Sequence, residues 1–209
     1  DPVIQVIYRG NATPAYTMIG GGWAYNPDLK PMPYDLEKAK QKLVEAGYAK
    51  GITLPIGCQA SAAYIQECEV YQAMYAKVGI NLQIVPIPTE IFYVATQGYL
   101  AEPGVGPINW SFRPDPHFLL SILVHKDGSW NAGRHINAER DRLIEEATAI
   151  YDLAKAKPLY DKIQTIVGEE AIFIFTVRTY DYKPMSKKVK DMPLEPAKGE
   201  RLRFVWLEK

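Results

Sequence analysis

The segment Asn109-Trp110-Ser111-Phe112-Arg113-Pro114-Asp115-Pro116-His117-Phe118 concentrates groups able to hold a ligand. Trp110 and Phe112 supply apolar wall. Arg113 supplies a permanent, forked cation that takes a carboxylate in bidentate fashion. Asp115 supplies the opposite charge, and the prolines stiffen the loop. The segment continues an apolar run from Val105 to Trp110 that reads as a strand. Loops at the carboxyl ends of strands in α/β sheets are where ligands settle. A structural assignment explains the same residues, with Arg113 paired to Asp115 and Trp110 closing the core. Spacing alone leaves both open.

Other chemistry is sparse. No GxSxG, HExxH or strand-linked GxGxxG motif occurs. His117, His125 and His135 lie in one polar loop region without the close spacing of a zinc site, and read as solvated or hydrogen-bonded side chains. Cys58 follows a strand, where nucleophiles can sit, but no histidine is placed by sequence to activate it. Two competitors therefore stand beside a binding function: a cysteine-dependent hydrolase-like enzyme, and an interaction or chaperone module without a small ligand. Cys58 and Cys68 could bridge in an oxidising compartment, but the expected state is two buried thiols. Glu145-Glu146 and Glu169-Glu170 read as solvated helix faces. Gly20-Gly21-Gly22 lacks the GxxxxGK[ST] pattern of a phosphate cradle.

The elements that must position these residues follow from periodicity and caps. Asn11 to Pro33 reads as an irregular connector laid over the surface. Asp35 caps a helix with Leu36, Ala39, Leu43 and Ala46 on one face, Tyr34 packing as a staple and Gly47 ending it. Ile52 to Cys58 is a strand. Ala62 to Val78 is an amphipathic helix whose stripe is Ile65, Cys68, Tyr71, Tyr75 and Val78. Asn81 to Ile87 is a second strand. A short helix is expected over Glu90 to Gln97. Asn137 caps a helix reaching Tyr151, with Leu143, Ile144, Ala147 and Ile150 inward. Pro158 fits the first turn of the next helix. Ile172 to Val177 and Arg203 to Leu207 read as strands. Strands alternating with helices imply an α/β fold.

Composition sets bounds. The chain has 209 residues, 24 Lys+Arg and 24 Asp+Glu. This length can bury a core without metals, and zero formal charge argues against a dedicated nucleic-acid binder. No apolar run reaches the roughly 18 residues of a membrane helix. The chain opens on Asp1-Pro2, so it reads as a fragment or processed product, which says nothing about compartment.

Several segments resemble the extracellular solute-binding proteins of family 5, the peptide/nickel-type receptors of ABC importers. Tyr34-Asp35-Leu36-Glu37-Lys38-Ala39-Lys40…Leu43…Glu45-Ala46-Gly47-Tyr48 resembles the family's YDxEKAKxLLxEAGY helix. Tyr75-Ala76-Lys77-Val78-Gly79-Ile80-Asn81-Leu82 resembles LxKxGIxV. Trp110 to Pro116 resembles the W…DPD loop, and Trp130-Asn131 its following N…Y. Pro158-Leu159-Tyr160…Ile163-Gln164 and Lys187 to Met192 resemble R…YxxxQxI and KNVKGF. The matches fall in family order.

The resemblance implies an α/β, type-II periplasmic-binding-protein-like lobe with a central mixed sheet flanked by helices. Residues 1–34 would be a connector and the tail of a helix, 35–181 the ligand-binding lobe, and 182–209 a segment returning to another lobe. It implies non-catalytic capture of a peptide or other small organic solute by hinge closure, and delivery to ABC permease subunits, in the periplasm or outside the cell. Membrane association would come only through the transporter or a lipid anchor, with no cofactor, metal or nucleic acid. The implied ligand-binding residues are Gln59, Trp110, Phe112, Arg113, Asp115, Trp130, Asn131 and Arg134. Many peptide-binding members place an Asp near the position of Arg113, and dipeptide-type members an Arg where Gln59-Ala60-Ser61 stands. Arg134 replaces the family Tyr. Arg113 and Arg134 together suggest a cleft suited to carboxylates or other anions.

Overall fold

Short polar side chains start most of the helices. Asp35 accepts a hydrogen bond from Lys38 N at 2.9 Å, Asn137 accepts from Arg140 N at 2.9 Å, and Asp152 accepts from Ala154 N at 3.0 Å. The computed structural model describes residues 2–94, 105–131, 133–193 and 202–208. Its elements run α1 (Pro2–Val6), β1 (Ala12–Pro14), α2 (Leu36–Glu45), β2 (Ile52–Gln59), α3 (Ala62–Ala76), β3 (Ile80–Ile87), α4 (Pro116–Leu123), α5 (Ala138–Thr148), α6 (Leu153–Glu170), β4 (Val177–Thr179), β5 (Val189–Lys190) and β6 (Trp206–Leu207), with a 3-10 turn at Leu202–Phe204 before β6.

The fold is α/β with two apolar cores. The first lies in a β–α–β unit. β2 and β3 pair in parallel from Ile52↔Ile80 to Gln59↔Ile87. Gly51 and Gly79 allow the two strands to start side by side, because a Cβ on Gly51 would lie 2.4 Å from the Gly79 carbonyl oxygen. α3 lays Ile65, Cys68, Tyr71 and Tyr75 against Ile56, Cys58 and Leu82 of the strands, the stripe its period predicts. Val105 runs parallel beside β2, its N–H donating to the Pro55 carbonyl and its carbonyl accepting from Gly57 N, each at 2.9 Å.

The second core is helical. Leu119, Leu120 and Leu123 of α4, Leu143, Ile144 and Ala147 of α5, and Ala156, Tyr160, Ile163 and Val167 of α6 are buried together. Ile19 and Ala24 join them, so residues 12–26 are not laid over the surface as expected. They are stitched in by Gln164: its amide donates to the Ala24 carbonyl at 2.9 Å, and its oxygen accepts from Thr17 Oγ1 at 3.0 Å. β1 then pairs antiparallel with β4, placing Ala12 opposite Thr179.

Among the described residues the strands form three two-stranded pieces, β1–β4, β2–β3 and β5–β6. Residues 106–110 and 172–176 leave the ladders. Ile172, Phe173 and Phe175 pack on the helical core instead, and the paired strand starts only at Val177. Of the expected Arg203 to Leu207 strand, only Trp206 and Leu207 pair. Two helix boundaries also differ. Asp152 captures the start of α6, leaving Pro158 inside the helix rather than in its first turn. Asp115 and Pro116 open α4, a helix where a loop was expected; Asp115 caps it and Pro116 sits where its missing N–H costs nothing. Tyr34 is exposed and does not act as a staple. Of the short helix expected over 90–97, residues 92–94 are helical and 95–97 lie outside the described residues.

Cys58 and Cys68 are bonded to each other, not free thiols. β2 and α3 hold the two sulfurs together inside the first core, where spacing alone could not decide between thiols and a bridge. Replacing both with alanine should lower stability by about 2–3 kcal/mol, the loop-closure value for so short a ring. On a domain of this size that moves the midpoint of thermal unfolding down by roughly 5–10 °C; a variant that melts with the parent would show that the bridge stores nothing.

Candidate aromatic binding surface

The loop at Trp110 links the cores. Five residues after Val105 leaves the side of β2, Trp110 packs on the helical core. Asn109 Nδ2 donates to Tyr64 Oη at 3.2 Å, tying the loop back to the first turn of α3. Trp110 then meets Trp130 edge to face, ring centres 5.5 Å apart, and Trp130 meets Tyr93 the same way at 6.1 Å. This geometry favours ring pairs beyond their area. Tyr93 is half exposed. The Trp110 indole N–H is buried and has no acceptor among the described residues, and an unmade bond of this kind costs energy.

The polar residues of the loop divide their tasks. The Asp115 carboxylate accepts from His117 N at 2.9 Å and is taken up in capping α4. The pairing of Arg113 with Asp115 that the sequence allowed does not form; the Arg113 guanidinium lies over the Phe118 ring, 5.2 Å from its centre, and makes no ion pair among the described residues. Phe112 packs on the glycine run, 3.5 Å from where a Cβ on Gly22 would stand. Gly22 also holds φ +80°, so glycine meets both demands there.

Trp130 and Asn131 enter from the loop after α4. Trp130 N donates to the Ile122 carbonyl at 2.8 Å. The Asn131 side chain is committed inward: its amide donates to the carbonyls of His125 at 3.1 Å and His135 at 2.8 Å, and its oxygen accepts from His135 N at 3.0 Å. Arg134 adopts φ +51°, in the left-handed region. Gln59 stands at the carboxyl end of β2, in the β–α–β unit. The structure thus joins Trp110 and Trp130 directly, with Phe112, Arg113 and Asp115 on the same loop.

Sequence reasoning missed several groups. Tyr93 extends the ring row. Arg178 of β4 donates to the Gly20 carbonyl at 2.6 Å and lies over the Tyr25 ring at 4.9 Å, holding the glycine run from behind. Glu170 is not on a solvated face but pairs with the buried Arg140. Glu67 of α3 is buried and accepts from Tyr71 Oη at 2.6 Å. A Glu four residues before a Tyr on one helix was the available signal.

Cys58, held in the disulfide, has no thiolate to offer a substrate. Two shallow concavities lie away from the ring row. One, of about 340 Å³, is lined by His117, Ser121, His125, Ile144, Glu145 and Thr148; the other, of about 470 Å³, lies between α2 and the strand starts and includes Lys40, Leu43, Val44 and Tyr48. Among the described residues no three His, Cys, Asp or Glu side chains are placed to hold a metal ion, and no helix is long and apolar enough to cross a membrane.

An α/β unit with two hydrophobic cores, a disulfide inside one and an aromatic ledge beside the other, has the architecture of a periplasmic-binding-protein lobe. Over its full length the chain superimposes on the ABC transporter-associated periplasmic binding protein DppA from Helicobacter pylori, solved with the peptide STSA, with TM-score 0.87 and 28% identity, covering 42% of that chain. Residues 1–131 match the family described as bacterial extracellular solute-binding proteins, family 5 (middle region), and the chain belongs to that family. It is 30% identical over 93% of its length to the heme-binding protein A of Haemophilus influenzae, and 29% identical over 100% of its length to the dipeptide-binding protein of Escherichia coli K12. It spans 37% and 40% of these two relatives.

The Glu67 cluster makes a pH prediction. Burial, reinforced by the Glu67 carboxylate, pushes the Tyr8 hydroxyl up to about 12, and burial followed by the bond to Glu67 pushes Tyr71 up as well. Both raised values mean that the folded state holds protons the unfolded state gives up above pH 10. Their stabilisation is full below pH 10 and is lost as pH climbs through the folded values. Stability followed by circular dichroism should fall between about pH 10 and pH 12, and Tyr8→Phe should flatten that decline; an unchanged slope would remove Tyr8 from the account.

Proposed function

We propose that this chain is the ligand-binding lobe and hinge region of an ABC-importer solute receptor that captures peptides or similar small organic solutes without catalysis. The carrying observation is the ring row of Trp110, Trp130 and Tyr93 in a chain of this family. Rings of this kind give a flat apolar wall to a side chain. Arg113, which makes no ion pair among the described residues, suits a carboxylate on the same solute.

On this reading residues 35–181 form the lobe together with residues 12–26, which pack into its helical core, and the remainder of 1–34 and residues 182–209 are the connecting segments. The β1–β4 ribbon supports the hinge assignment, since it joins the beginning of the chain to residue 179. A second lobe closes over the solute, and the closed state gains by contacts the open one lacks. The receptor works in the periplasm or outside the cell and hands its solute to permease subunits. Its membrane attachment is through the transporter or a lipid anchor.

Calorimetry on the complete polypeptide tests the assignment, with the tetrapeptide Ser-Thr-Ser-Ala and the dipeptide Ala-Ala as probes. Trp110→Ala should weaken binding at least about tenfold, roughly 1.4 kcal/mol, and Arg113→Ala should weaken it for peptides with a free carboxylate but not for their amides. The 209-residue chain alone should bind far more weakly. Full affinity in both variants would refute the site.

A further inference from the structure

We propose that the ion pair between the buried Arg140 and the partly exposed Glu170, acting with Asn131, is a positioning device that fixes the aromatic wall; this rests on reading the wall as the solute surface. Arg140 is 0% exposed, and burying its charge is costly unless every donor is met. One terminal nitrogen donates to Glu170, and the other donates to the His135 carbonyl at 3.1 Å. Asn137, the cap of α5, donates from its amide to the other Glu170 oxygen at 2.8 Å. Asp141 lies 3.7 Å from Arg140 Nε, an ion-pair contact that leaves Nε without a hydrogen bond among the described residues, and it accepts from Lys126 N at 3.3 Å. Both ends of the loop between α4 and α5 are therefore tied to one buried charge cluster.

The ties continue to the rings. The His135 carbonyl that Arg140 grips also accepts from Asn131, and Asn131 takes the His135 N–H in return. The Asn131 carbonyl accepts from Arg134 N at 2.9 Å, closing the turn that sets Arg134 at φ +51°. Gly133 leaves room for the His135 ring, which a Cβ there would approach to 2.6 Å. The residue before Asn131 is Trp130, edge-on to Trp110.

Stability alone does not account for this arrangement. A buried ion pair gains little over an apolar filling of the same volume, because desolvation offsets the attraction. Glu170 also ends α6, where the helix dipole disfavours a carboxylate. What the pair supplies and an apolar filling would not is a directed hold on the His135 carbonyl. Arg140, Glu170 and Asn131 thus act on the solute through Trp130 and Arg134, not by touching it.

Two variants of the complete polypeptide test this, Glu170→Gln and the apolar pair Arg140→Met/Glu170→Leu, with Arg142→Gln on an exposed face of the same helix as control. The readouts are residue-resolved amide exchange at Trp130, Arg134 and His135, and affinity for Ser-Thr-Ser-Ala and Ala-Ala. Both variants should speed exchange at those amides at least about tenfold and weaken binding by about the same factor, while the control and the amides of α3 stay at parent values. The apolar pair should do so without a lower melting temperature, which a merely structural role would not produce. Unchanged exchange, or faster exchange with affinity within about twofold of the parent, overturns the proposal. If the parent binds neither probe, the functional reading fails instead, and the exchange data by themselves still decide whether the clamp exists.

Discussion

One buried side-chain amide organises the half of the molecule that carries the ring row. Gln164 lies in the middle of α6, and its amide reaches the Thr17 hydroxyl and the Ala24 carbonyl while also bonding the Tyr160 carbonyl of its own helix. A polar group in an apolar core is tolerated only when its bonds are made, and here they are made by a segment some 140 residues away in the chain. That segment brings Trp23 against Tyr160, edge to face at 5.3 Å, and delivers the glycine run to Phe112. Phe112 is in the loop that presents Trp110 and Arg113. The wall thus has a backing, and the backing is held by hydrogen bonds rather than by regular secondary structure.

The wall itself is built from two loops entering from different sides. One leaves the β–α–β unit beside β2, and the other links α4 to α5. Neither is part of a ladder or a helix, so each is secured by its own polar contacts. Asp115 caps α4, Asn109 reaches Tyr64, and Asn131 bonds the carbonyls on either side of its turn. Polar ties of this kind hold the rings in one orientation, which the proposed recognition surface needs more than it needs area.

Much of this was readable from the residues, and the failures have physical reasons. Caps and stripes were sound guides for α2, α3 and α5, because a capping Asp or Asn and a 3.6-residue apolar period are local signals. α4 was hidden by its own chemistry: Asp115 and Pro116 look like ligand-binding and turn residues, yet Asp followed by Pro is also a strong helix start. At Pro158 the opposite happened, since a better cap six residues earlier took precedence over the proline. Residues 172–176 are an apolar run like a buried strand but spend their aromatic side chains on the helical core. The burial of residues 12–26 and the Arg140 cluster depend on partners distant in sequence, which no local pattern reveals. The disulfide needed the register of β2 against α3. For the candidate surface, the sequence singled out the Trp110 loop and Trp130; the contact between them, and Tyr93 beyond it, were not legible.

The separation of the two apolar cores has a thermodynamic corollary. The β–α–β unit is cross-linked by its disulfide and draws on its own cluster around Ile56 and Leu82, while the helical bundle draws on another around Leu120 and Ile163. The stretch from 105 to 110, the Asn109–Tyr64 bond, the Tyr93–Trp130 ring contact and the packing of α1 against α3 and β1 all join them. These joints lie mostly in loops and in one short helix, so local opening begins at the seam before either cluster gives way, and a protease that cuts there reads the free energy of that opening and not of the whole.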